Sequence, residues 1–241
     1  MEQKLNMNVN VQGNEAVIRM GKATEPFNYP GTVYKALSTD SFVDIVEARG
    51  SEHTIVGYHD TGFDAILDDS IIDMNRDIVI YRFAKSLQFN EWADVLNTPL
   101  SQKQLIDFLK CRRDTTPEVP DKELLLYNLQ NFKFVQNIEA DYSRIDNNNY
   151  TFAFKSKDGE GTVQLPQQFT ANIDIIKGSN YLQEVEIELE IRRPKSADEK
   201  PAFILTCPKL ARYEEEARLR EYNLLMETMD VDTLLVNASL F

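Results

Sequence analysis

The chain has 241 residues, 42% hydrophobic and 27% charged, a balance that excludes a disordered chain and allows one large packed domain or two small ones. Its net charge of −13 opposes general nucleic-acid binding, which neutralises phosphates with Lys and Arg, and favours solubility, a basic partner or mimicry of a polyanion. No apolar run approaches the roughly 20 residues that span a bilayer, so no membrane contact is expected, and Cys111 and Cys207 are too few for a disulfide framework or a closed zinc site.

Residues 1–14 are polar and rich in Asn and Gln, a loosely held N-terminus ahead of a single domain over 15–241. A sub-boundary is placed near 114–120, where Pro117 and Pro120 bound a linker. The first residues lack the basic start and apolar core of a secretory signal, which predicts a reducing cytoplasm and leaves the sequon at Asn237 without meaning. A short strand is expected over Glu15–Met20 and a loop over Gly21–Gly31. Ser38–Arg49 predicts a helix, capped by Ser38, Thr39 or Ser41, buried along Phe42, Ile45, Val46 and Ala48, and ended by Gly50.

His53–Tyr58 and Phe63–Leu67 read as two strands joined by a turn at Asp60-Thr61-Gly62. Asp77–Ser86 is apolar on both parities near its middle, as expected of a central strand. A short helix over Asn90–Leu96 would bury Trp92. Ser101 and Gln104 form a capping box for a helix buried through Leu105, Ile106, Phe108 and Leu109, and Asp121 is placed to cap the next one.

From Phe132 the apolar period changes to two. Strands are expected over Phe132–Tyr142, Tyr150–Lys157, Thr162–Leu165, Phe169–Ile176, Tyr181–Arg193 and Ala202–Cys207, joined as antiparallel hairpins in a meander. The clearest of them is Tyr181–Arg193. Its Val185, Ile187, Leu189 and Ile191 share one face, and Glu184, Glu186, Glu188 and Glu190 the other. Lys209–Met229 predicts a long closing helix, followed by an apolar tail ending in Leu240 and Phe241. The fold class is therefore α+β: a largely antiparallel, twisted sheet with helices packed on one side and a long C-terminal helix.

The stretch EAVIRMGKATEP, the segment Ile78–Arg112 with its core PLSQKQLIDFLKCR, and the pair LPQQFTANIDIIKG and VEIELEIRRP together resemble the YfdQ-like family of uncharacterised phage and prophage proteins. The resemblance spans most of the chain and brings no catalytic motif to any position. It implies a phage or prophage origin and a host-cytoplasm location, in a family whose members look like early phage proteins, often encoded near recombination and DNA-replication genes.

Candidate chemistry is sparse. His53 and His59 lie about 20 Å apart along one strand, too far to hold one metal together. His59, Asp60 and Asp64 (with Asp68) form a weak candidate set for Mg²⁺ or Mn²⁺, against the plain alternative of a polar hairpin tip. No nucleophile elbow or nucleotide-binding glycine loop occurs, so no cofactor and no catalytic residue is assigned. Cys111 beside Lys110, Arg112 and Arg113 reads as structural. Phe132, Phe134, Tyr142, Tyr150, Phe152 and Phe154 offer either a stacking platform for single strands or simply core.

Two surfaces invite a protein partner. The glutamate row of Tyr181–Arg193 repeats every ~6.6 Å, close to two base-pair rises, and could imitate a phosphate backbone, although Arg192, Arg193 and Lys195 interrupt it. Tyr222, Leu225, Met226 and Met229 form a second apolar stripe on the closing helix, which with Leu240 and Phe241 suggests self-association, against a tail folded back on the sheet. The leading expectation is a non-catalytic phage accessory protein that binds a protein partner in DNA metabolism or host defence, including as an acidic decoy. Behind it come a single-stranded-DNA-associated recombination or replication accessory and, more distantly, a metal-dependent nuclease.

Overall fold

A computed structural model describes residues 31–70, 76–113, 118–132, 149–156, 159–192, 201–229 and 233–241. In chain order these form β1 (Val33–Lys35), α1 (Thr39–Arg49), β2 (Ile55–His59), β3 (Gly62–Ile66), β4 (Ile78–Arg82), α2 (Leu87–Val95), α3 (Gln102–Lys110) and α4 (Lys122–Asn131). The second half comprises β5 (Asn149–Ser156), β6 (Gly159–Pro166), β7 (Gln168–Ile173), β8 (Gln183–Arg192), β9 (Ala202–Thr206), α5 (Leu210–Thr228) and β10 (Leu234–Val236). The strand and loop expected before Gly31 lie outside the described residues.

The fold is α+β, and the strands among the described residues divide into three sheets rather than one meander. β2, β3 and β4 pair antiparallel, while β1 and β10 add parallel at the two edges in the order β1-β4-β3-β2-β10. β5 and β6 make a separate hairpin, and β7-β8-β9 an antiparallel sheet with β8 at its centre. The strand expected over Phe132–Tyr142 starts differently: Phe132 closes α4 and is buried against Phe203, and residues 133–148 lie outside the described set.

Local chemistry sets the helix ends. Ser38 and Ser41 cap α1 reciprocally, and Ser101 and Gln104 do the same for α3. α2 begins earlier than its apolar pattern suggests because the Ser86 hydroxyl accepts from Phe89 N at 2.9 Å. Asp121 stands at the N-cap of α4 without a side-chain bond to its first turn. Gly50 ends α1 in extended backbone, and a Cβ there would lie 2.6 Å from Val46 O and from Thr54 Oγ1, so the site excludes a side chain by space.

The core falls into two apolar clusters. One joins α2, α3 and α4 to the apolar faces of β7, β8 and β9, with Trp92, Leu105, Leu109, Leu129, Ile187 and Phe203 almost wholly buried. It draws on residues from both sides of the 114–120 stretch. Val185, Ile187, Leu189 and Ile191 are each buried there, contributing about 2 kcal/mol apiece. The chain after α2 also closes the edge of β9: Leu100 and Phe203 exchange two backbone hydrogen bonds of 2.8 Å.

The second cluster packs α1 and the end of α5 onto one face of the five-stranded sheet, through Phe42, Val46, Phe63, Tyr81, Leu225 and Met229. α5 therefore serves both cores. Tyr213 and Ala217 in its first half belong to the first cluster, and Leu225 and Met229 in its second half to the other. No helix among the described residues is long and apolar enough to cross a membrane.

Candidate functional site

The glutamate row lies where its period of two puts it. Glu184, Glu188 and Glu190 are exposed, and Glu186 is half-buried. Their partners across the sheet are neutral: Asn172 faces Glu184, Thr170 faces Glu186, Gln168 and Thr206 flank Glu188, and Ile204 faces Glu190. Among the described residues only Glu186 meets a cation, Lys209 Nζ at 2.5 Å, and that bond pushes the Lys209 ammonium pKa up. Arg192 continues the same parity at the strand's end, exposed, and Arg193 and Lys195 lie outside the described residues. Three carboxylates, without a cation among the described residues, thus stand on the central strand of a sheet whose other face is core.

The second stripe of α5 is largely covered by its own chain. Leu225 and Met229 are buried in the second cluster, and Tyr222 donates its hydroxyl to His59 O at 2.6 Å while packing on Tyr58, Phe63 and Phe83. Met226 and Phe241 stay exposed, and Leu240 is half-buried. One helix crosses two cores of the same molecule, so much of the second stripe is covered within the chain itself. The tail folds back. β10 pairs with β2, Leu234 beside Ile55 and Val236 beside Gly57.

His59 and Asp64 are brought together across the β2–β3 hairpin, but not as metal ligands. Asp64 is wholly buried, and His59 Nε2 lies 3.1 Å from its Oδ2. The Arg82 guanidinium donates to Oδ1, and Ser239 Oγ and Leu240 N approach Oδ2 at 3.1 and 3.4 Å. A cation site built on Asp64 would have to displace a guanidinium already there. Asp60 is exposed in the turn, and among the described residues no group of three or more His, Cys, Asp or Glu side chains could hold a metal. For the aromatic platform, Phe132 is core, the side chains of Tyr150, Phe152 and Phe154 are outside the described set, and so are Phe134 and Tyr142.

Sequence reasoning missed a cleft of about 610 Å³ between the start of α2, the end of α3 and the segment after β7. Lys85, Gln88, Cys111, Arg113, Asp174 and Lys177 line it. Its floor is a buried polar cluster: Trp92 Nε1 donates to Glu118 Oε1 at 2.6 Å, and Arg112 Nη1 reaches Glu118 at 3.3 Å and Glu91 at 2.7 Å. Lys122 Nζ donates to Arg112 O at 2.9 Å. Asp174 is held by its backbone, with its N–H on Gln88 Oε1 at 3.0 Å and its carbonyl accepting from the Ser86 hydroxyl. Burial, first, pushes its carboxyl pKa up, with Arg113 acting in the opposite direction. The lining residues Asp174 and Lys177 lie 56 or more positions beyond Glu118 and the others, so no local motif announces the cleft.

Cys111 is exposed at the C-terminus of α3, and Cys207 is buried, its thiol pushed up by burial. Compared with protein-family models, curated proteins and solved structures, the chain matches none.

Proposed function

We propose that this protein acts by binding rather than by catalysis, as a phage or prophage accessory protein that engages a basic protein partner in DNA metabolism or host defence. The phage setting rests on the resemblance to the YfdQ-like family. One observation carries the binding surface: Glu184, Glu188 and Glu190 stand exposed in a row on β8, flanked by uncharged side chains on β7 and β9.

A central strand with a buried opposite face holds these carboxylates at fixed spacing, so a partner meets them without first ordering a loop. Their charge steers a cationic surface toward this side of the molecule, most strongly at low salt. The acidic row is narrow, one strand wide, and suits a basic helix or strand lying along it. The single-stranded-DNA reading draws no support from Phe132, which is core, and the nuclease reading none from Asp64, which Arg82 already neutralises.

The test is capture of host proteins from nuclease-treated lysate on the immobilised protein. A basic protein retained without nucleic acid, and released by added salt, supports the proposal. Retention that disappears on nuclease treatment contradicts it.

A further inference from the structure

We propose that the cleft bounded by α2, the end of α3 and the residues after β7 binds a small organic anion, its carboxylate or phosphate head held by Lys177, Arg113 and the N-terminus of α2. This site is separate from the glutamate face of β8, and the two stand or fall independently.

The volume, about 610 Å³, lies within the range of small-molecule sites. In a chain of net charge −13, three cations, Lys85, Arg113 and Lys177, line this one space. Glu91, Glu118 and Asp174 also line it, and Glu91 and Glu118 are both paired with the buried Arg112. Lys85 is held by Glu214 and lies over the Phe89 ring. Arg113 bonds Gln88 and sits 4.0 Å from Glu118. Lys177 has no side-chain hydrogen bond or ion pair among the described residues, and so is the cation free to meet a ligand.

α2 adds to the attraction. Its cap, Ser86, takes Phe89 N, while the N–H groups of Leu87 and Gln88, both residues that line the cleft, have no acceptor among the described residues. Asp174 also lines the cleft, and its Oδ1 has no hydrogen-bond partner among the described residues. Leu87, a large apolar side chain left 75% exposed at the rim, offers the apolar part of the ligand a surface.

The protein carries two reporters. Trp92 is hydrogen-bonded to Glu118 at the cleft floor, so its fluorescence responds to filling. Cys111 lines the cleft and is exposed, whereas Cys207 is buried, so iodoacetamide alkylation of Cys111 reports occlusion. The experiment titrates the full chain with inorganic phosphate and, separately, with acetate, against chloride at matched ionic strength. The expected result is a saturable Trp92 change with at least one of the two, with slower alkylation of Cys111. Saturation by phosphate alone assigns a phosphate head, and by acetate alone a carboxylate head. Lys177→Ala should weaken binding about tenfold, the loss of one charged hydrogen bond, while Lys110→Ala, outside the cleft, leaves it unchanged. Absence of saturation with both probes, or equal binding by Lys177→Ala and the unaltered chain, overturns the proposal.

Discussion

Ser239 donates its hydroxyl to the buried carboxylate of Asp64 at 3.1 Å, and so ties the end of the chain to the middle strand of the five-stranded sheet. Asp64 lies on the sheet face opposite α1 and α5, and its partners come from β2, β4 and the tail. A polar side chain placed mid-strand thus becomes the anchor for the last residues of the protein.

Replacing Asp64 should therefore cost more than an ordinary surface change. Asp64→Ala removes the charged partner of the Arg82 guanidinium and the acceptor of Leu240 N, leaving Arg82 its longer bonds to Phe63 O and Tyr81 O and Ser239 its bond to Phe241 O. The expected loss is about 3 kcal/mol, at the lower end for a broken buried pair because Arg82 can turn to water. Urea denaturation measures it. A loss under about 1 kcal/mol, the worth of one ordinary hydrogen bond, would contradict this role.

Gly57 is the point where the tail crosses closest to the sheet. A Cβ added there would lie 2.5 Å from Ala238 O and 2.8 Å from Leu240 Cγ. Gly57→Ala should push the tail off its seat at a cost of about 1–3 kcal/mol, and bare the edge of β2 to other chains. Faster carboxypeptidase trimming of the last residues and a larger solution mass are the expected readouts. Trimming at the unaltered rate would show that the tail accommodates the methyl group.

Glu118 is the acceptor for both Trp92 and Arg112 under the cleft. Glu118→Ala leaves the Arg112 charge buried with only Glu91 to meet it, for an expected loss of about 3 kcal/mol or more. Glu118→Gln keeps an acceptor for the indole and should lose less. Denaturation midpoints of the two variants, compared at one pH, give the ordering.

Asp174 supplies a pH signature. Its carboxyl in the folded state is raised above the ordinary 3.8 by burial, so between those values the folded chain holds more protons than the unfolded one. Stability contributed at this site is then highest at low pH and falls as pH rises through the raised value. Asp174→Asn removes that dependence. The variant should gain on the unaltered protein as pH climbs toward neutrality and lose the advantage below the ordinary carboxylate range, in a series of urea titrations. A gap that is constant with pH would mean the group does not titrate differently on folding.

Much of the fold is legible locally. The alternation of Val185 to Ile191 against Glu184 to Glu190 holds because a strand buried on one side has no other way to sort its side chains. The Ser101–Gln104 box holds because its partners are three residues apart. Relations across long stretches of chain are less legible. β10 is three residues long and pairs with a strand some 180 residues earlier, a relation that no local pattern encodes. The two stripes of α5 suggest a partner because a helix on a single core needs only one stripe; here the helix runs across two. The cleft is hidden for a similar reason, since Lys85, Arg113 and Lys177 meet only through tertiary packing.

Whether the exposed carboxylates of β8 bind a partner is decided by a paired capture experiment. The unaltered protein and the variant Glu184→Gln/Glu188→Gln/Glu190→Gln, which keeps the side-chain shapes and removes three charges, are immobilised and exposed to the same nuclease-treated host lysate. The expected result is a basic protein retained by the first and absent from the second, with unchanged circular dichroism between them. Equal retention by both, or none by either, would contradict it.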